Sequence, residues 1–137
     1  RAEDPTYGGG EFIYLKGIGS TIVGSIVRYD DSFTTALNTS ALTDALPLAV
    51  AMSINVASQY GWYQISGLAQ VAKATSTSFA DGAGIGSASG LAIAVSTNVQ
   101  IQGAIVYAVA SAVSGTAPDL VGVAINRPHD IATAVAA

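Results

Sequence analysis

A long charge-free stretch constrains the fold of this chain more than any other feature. Between Asp81 and Asp119 the sequence has no Asp, Glu, Lys or Arg, and the apolar run inside it is long enough to cross a bilayer as a helix. Within that run, STNVQIQG places polar residues at every second position from Asn98 to Gln102. Alternation with period two is typical of a half-buried strand, so we predict strands here and no membrane partner.

The composition favours one domain with an uncharged surface. Of the 137 residues only 10% are charged, half are apolar and none is cysteine. A chain of this length can bury a core without disulfides. The net charge is −4 and the few Lys and Arg residues are scattered, so we predict no nucleic-acid partner. A surface of small neutral side chains suits contact with other proteins.

Short β-branched and aromatic runs predict an all-β fold, a small barrel-like or sandwich domain of short strands. The best helix candidate is the segment 38–46, with Asn38 among its possible caps and Pro47 closing it. Residues 1–10 are polar and end in three glycines, which predicts a flexible N-terminal arm. We therefore divide the chain into the arm with a first short strand, 1–16, and a single β-domain, 17–137.

The most aromatic stretch is SQYGWYQISGLAQVAK, which holds the sole tryptophan, Trp62, between Tyr60 and Tyr63. The glycine in its middle, Gly67, predicts either one long bent strand or a hairpin at Ser66 and Gly67. In either case the rings pack in the core or at its rim. A sugar-stacking platform is the alternative, although core packing or a protein interface is more common for such rings.

No motif indicates catalysis, a cofactor or a metal. The glycine loop GAGIGSASG matches neither the dinucleotide fingerprint nor a phosphate loop, so we expect a flexible surface loop. The sole histidine, His129, follows a proline without a Gly-x-Ser-x-Gly motif elsewhere, which favours a surface residue. Asp30 and Asp31 lack a third spaced oxygen donor and suit a solvated turn. We therefore predict a protein that is not an enzyme.

The order of strand-like runs resembles the small phage head decoration (cement) proteins. The runs that carry the resemblance are GSIVRYDD, PLAVAMS, GWYQISGLAQVAKA, GAIVYA and LVGVAINRP. They form a pattern of strands and turns without an invariant motif. The resemblance implies a barrel-like domain on the outer surface of an icosahedral head in the virion. It implies that the domain clamps neighbouring subunits of the major capsid protein, as a dimer or trimer at a symmetry axis.

The predicted contacts with the capsid lie in the arm, in the first strand and at the sole tryptophan: Tyr7, Gly8, Gly9, Gly10, Phe12, Tyr14 and Trp62. Two alternatives stay open. One is a carbohydrate-binding module that uses Tyr60, Trp62 and Tyr63, and the other is a structural module of a tail or fibre. A glycan array separates the first alternative from decoration, and cosedimentation with empty heads separates decoration from both.

Overall fold

The computed structural model describes residues 2–4, 8–38, 46–54, 57–73, 79, 82–93, 101–106 and 119–130. None of these residues is helical, and they form ten strands connected into one sheet that does not close into a barrel. The predicted all-β fold is therefore confirmed. The strands are β1 (Ala2–Asp4), β2 (Gly8–Lys16), β3 (Ile26–Tyr29), β4 (Thr35–Leu37), β5 (Leu48–Ala51), β6 (Tyr60–Lys73), β7 (Gly86–Ala88), β8 (Leu91–Ile93), β9 (Ile101–Val106) and β10 (Asp119–Asp130).

The long strand β6 organises the sheet, which confirms the bent strand and excludes the hairpin at Ser66 and Gly67. β2 pairs antiparallel with its first half, and β10 pairs antiparallel with its second half, from Ser66 to Lys73. The register with β2 skips Ile65, which is the extra residue of a β-bulge. Two residues later Gly67 has a φ of 109°. The bulge and the glycine together divide β6 into two halves.

Two hydrophobic clusters lie on opposite faces of the sheet. β3 and β5 give alternate residues to each cluster, for example Val27 to the smaller one and Ile26 to the larger one. Tyr63 in the first half of β6 belongs to the smaller cluster, and Val71 in the second half belongs to the larger one. Because both positions have the same parity, the alternation of β6 must shift by one residue between them. The extra residue of the bulge, Ile65, supplies that shift.

A tight turn closes one edge of the second half of β6. The amide of Gly24 donates to the Ala51 carbonyl at 2.9 Å, and the amide of Ala72 donates to the Gly24 carbonyl at 2.9 Å. Gly24 has a φ of +87°, and a Cβ at this position would lie 2.6 Å from the Ala72 nitrogen. Glycine is therefore the residue that lets the turn approach β6 so closely.

The structure differs from three local expectations. In the N-terminal arm, β1 pairs antiparallel with the glycine triplet, from Ala2 with Gly10 to Asp4 with Gly8, so the triplet forms a backbone ladder instead of a hinge. The loop GAGIGSASG contains β7, which pairs with β8, so it is partly a hairpin. The helix candidate falls mainly on residues 39–45, which lie outside the described residues.

Candidate functional site

Three aromatic side chains meet on the outer face of β2 and β6. Tyr14 lies directly across from Trp62 in the antiparallel register, and Tyr60 lies diagonally from Tyr14. The ring centroids of Tyr14 and Trp62 are 5.0 Å apart with planes at 67°, and those of Tyr14 and Tyr60 are 5.5 Å apart with planes at 6°. The exposed fractions are 50% for Tyr14, 51% for Tyr60 and 56% for Trp62. We call these three residues the aromatic cluster.

The alternation of both strands places the aromatic cluster outside and the core inside. On β6, Tyr60 and Trp62 point outward, whereas Tyr63 is fully buried. On β2, Tyr14 points outward, whereas Leu15 is fully buried. Cross-strand aromatic pairs contribute roughly 0.5–1.5 kcal/mol beyond the area they bury, so the contacts hold the rings together on the open face.

Two further side chains border the aromatic cluster. Lys16 lies directly across from Tyr60, so both side chains are on the same face of the sheet. Met52 is 45% exposed, and its amide donates to the Trp62 carbonyl at 3.3 Å, which places it on the other side of β6. The sequence did not single out either residue, because nothing local to the chain shows which strands flank β6.

The predicted contact residues separate into two groups. Tyr14 and Trp62 meet in the aromatic cluster, and Phe12 is half-buried on the same face of β2. Gly10 is buried, and a Cβ there would lie 3.0 Å from the Ser66 carbonyl oxygen. Gly8 and Gly9 pair with β1. Tyr7 lies outside the described residues.

The proposed trio of Tyr60, Trp62 and Tyr63 does not form one surface. Tyr63 is 0% exposed and packs in the smaller hydrophobic cluster. Its position follows from the period of a strand, which sends neighbouring side chains to opposite faces. Tyr14 takes the third place in the exposed group, from a strand far away in the sequence.

The other candidate residues form no site together. The Asp30 carboxylate accepts hydrogen bonds from the amides of Thr34 and Ser32, which hold the pKa of this carboxyl below its usual range. This arrangement is the predicted solvated turn. His129 is exposed on β10, as expected for a surface residue. The part of the chain that the structure describes holds no group of three or more His, Cys, Asp or Glu side chains placed to bind a metal.

An open depression of about 570 Å³ lies between β9 and the segment that contains Gly82 and Gly84. Its described lining residues are glycine, alanine, isoleucine, Gln102 and Asn126, and none of these is titratable. Acid–base chemistry therefore has no group here among the residues that line the depression. Across the described ranges no helix has the length and hydropathy of a membrane span.

Comparisons with known proteins add no family to this description. No protein-family model matches the chain, no curated protein matches it, and no solved structure matches it.

Proposed function

We propose that this protein is a non-enzymatic decoration protein that binds the outer surface of a phage head and clamps neighbouring major capsid subunits. The observation that carries the proposal is the aromatic cluster, three half-exposed rings in contact on one face of a charge-poor domain. Exposed aromatic surface of this kind is typical of contact sites between proteins. The phage head as partner comes from the resemblance of the strand pattern to decoration proteins.

The size of the aromatic cluster suits a contact site. A half-exposed ring leaves roughly 100 Å² for a partner to cover, which is worth about 2.5 kcal/mol per ring at about 25 cal/mol per Å². Three such rings form a small group of anchor residues, but association itself costs several kcal/mol. A single copy would therefore attach weakly, and attachment as a dimer or trimer would gain from multivalency.

Carbohydrate binding is the second candidate, and the exposure of Tyr60 and Trp62 favours it. The ring geometry favours protein contact instead. A sugar stacks on a ring face that is open to solvent, and an extended platform needs several such faces in one plane. Trp62 is inclined at 67° to Tyr14, and Tyr14 is stacked parallel to Tyr60, so these two rings cover part of each other's faces. A tail or fibre module would use the same surface and differ only in its partner.

The test is cosedimentation with purified phage heads that lack decoration protein. The wild-type protein should pellet with heads in a saturable manner, and Trp62→Ala should bind about tenfold more weakly, as expected for an anchor residue. Ile105→Ala is the matched control, because Ile105 is 53% exposed but lies on β9, away from the aromatic cluster. This control should bind like the wild type.

A glycan array run in parallel decides between the two candidates. The decoration proposal fails if folded Trp62→Ala still coats heads normally and loses saturable binding to a soluble sugar. Binding of the wild-type protein to tails and not to heads would assign it to the tail module.

A further inference from the structure

We infer that the aromatic cluster recognises a protein surface rich in hydrogen-bond acceptors, with a carboxylate placed to meet Lys16. The inference rests on the proposed function and names the chemistry of the head surface that the cluster would contact. Three observations support it: the hydrogen-bonding groups of the cluster, the absence of an ion pair at Lys16 within the described residues, and the positive charge that a second copy of the chain would place against the same face.

The polar groups of the aromatic cluster can all donate hydrogen bonds. The Trp62 indole N–H can only donate, and the Tyr14 and Tyr60 hydroxyls each carry one O–H donor beside their acceptor lone pairs. None of these three groups takes part in a hydrogen bond with another described residue. The nearby amide of Gln64 is only 5% exposed, and its nitrogen donates to the Ser66 and Leu68 carbonyls at 3.1 and 3.3 Å. A partner that covers the cluster must therefore bring an acceptor for the indole N–H, and acceptors on that partner can also receive the two tyrosine O–H groups.

Lys16 adds a positive charge to this donor-rich face. It lies across from Tyr60, and its ammonium makes no ion pair within the described part of the chain. The neighbouring turn contains Asp30 and Asp31, and neither carboxylate forms an ion pair with Lys16; Oδ1 of Asp30 accepts hydrogen bonds from the amides of Ser32 and Thr34. Glu11, the one carboxylate on β2, forms an ion pair with Arg127 at 2.7 Å. The ammonium is thus available for a carboxylate of a partner.

A second copy of this chain is a poor occupant of the same face. Two aromatic clusters placed face to face would bring two Lys16 ammonium groups together, which costs free energy in a partly desolvated contact. A carboxylate-bearing protein surface satisfies both the donors and the charge. An acidic polysaccharide also carries carboxylates, but it would stack on ring faces, and Tyr14 and Tyr60 cover part of each other's faces.

The experiment measures binding to undecorated phage heads at 50 and 500 mM NaCl for the wild type, Lys16→Gln and Lys16→Glu. An exposed ion pair contributes modestly, so we expect Lys16→Gln to bind about threefold more weakly at low salt and Lys16→Glu about tenfold. The wild type should lose about threefold in affinity at high salt, and Lys16→Gln should lose almost none, because salt screens only the pair that this variant lacks. Circular dichroism checks that both variants are folded.

Arg28→Glu is the control for net charge, since Arg28 lies on β3 and this change alters the charge by the same amount. It should bind like the wild type. Equal binding of all three Lys16 forms, with one shared salt dependence, would overturn the inference and leave the decoration proposal standing. Failure of the wild type to bind heads would overturn the decoration proposal itself.

Two further measurements would reveal a different binding partner at the aromatic cluster. Saturable binding to polygalacturonate that depends on Lys16, without binding to heads, would assign the face to an acidic polysaccharide and contradict the protein partner. Sedimentation velocity that shows a dimer in wild type, abolished by Trp62→Ala, would assign the face to a second copy. Each of these results is incompatible with a carboxylate-bearing head surface as the occupant.

Discussion

The two halves of β6 bury opposite faces of the sheet, and neighbouring segments cover them differently. Before Gly67, the outward rings of Tyr60 and Trp62 are about half exposed. After Gly67, Ala72 is fully buried beside the turn that contains Gly24, which runs along the edge that β2 occupies in the first half. Exposure along β6 therefore depends on what lies against the strand and not on the pattern of the strand itself.

This difference in coverage bears on function because the side chains that stay exposed are large and aromatic. In the second half, the side chains that do not belong to the larger hydrophobic cluster include Leu68 and Gln70, which are partly buried, and Ala72, which is fully buried. In the first half, Tyr60 and Trp62 stay about half exposed, as does Tyr14 on the neighbouring β2, although burying the rest of each ring would stabilise the fold by about 2–3 kcal/mol. A folded domain that leaves this surface open has it available for a partner.

The largest expected loss of stability comes from substituting a core-facing residue in the first half of β6. Tyr63→Ala should lower the free energy of unfolding by about 3–5 kcal/mol, because it removes a fully buried ring from the smaller hydrophobic cluster. Tyr60→Ala, three residues earlier and half exposed, should cost about 1 kcal/mol or less. Urea unfolding of both variants measures the contrast. Equal losses of unfolding free energy in the two variants would contradict the assignment of Tyr63 to the core and of Tyr60 to the surface.

The next largest loss of stability is expected from a substitution in the turn at Gly24, which covers the second half of β6. Gly24→Ala should cost about 2–4 kcal/mol, because a Cβ would lie 2.6 Å from the Ala72 nitrogen and because φ is +87°. Gly19→Ala is the control, since a Cβ at Gly19 meets no atom within 4 Å. Thermal unfolding should show a clear drop for the first variant and little change for the second. A tolerated Gly24→Ala would contradict the close contact between the turn and β6.

The outward side of the first half should matter little for stability. Trp62→Ala should lower the free energy of unfolding by about 1 kcal/mol, mainly through the lost contact with Tyr14, because the indole is 56% exposed. Urea unfolding gives this value on the same preparation that is used for head binding. A loss of 3 kcal/mol or more would place the ring in the core and remove the basis for a contact face.

The smallest effect concerns the acidic turn beside β2. Hydrogen bonds from the Thr34 and Ser32 amides lower the folded-state pKa of Asp30 below its ordinary value. The ionised carboxylate therefore stabilises the fold above that ordinary value, and its contribution is lost as the pH falls through the folded-state pKa. Asp30→Asn should slightly flatten the decline in melting temperature between about pH 5 and 2. Asp31→Asn, whose carboxylate accepts neither of these hydrogen bonds, should leave that decline unchanged.

Much of the strand content could be predicted locally, but the candidate site could not. The polar and apolar alternation predicted strands in both halves of β6, and Gly67 predicted the irregularity between them. Asn38 shows the limit. It was a candidate helix cap, yet it is fully buried, and its side-chain nitrogen donates to the Ser87 hydroxyl at 2.7 Å. Nothing near Asn38 in the sequence indicates that partner.

The sequence by itself determined which side chains share a face of one strand, because the period of two is a property of the extended backbone. This period places Tyr60 with Trp62 and separates both from Tyr63, which the carbohydrate-binding alternative had grouped with them. Only the tertiary structure decided that Tyr14 stands across from Trp62, and that the turn at Gly24 covers one half of β6 while the other half stays open. Register between distant strands depends on how all the apolar faces are buried together, and no local stretch contains that information.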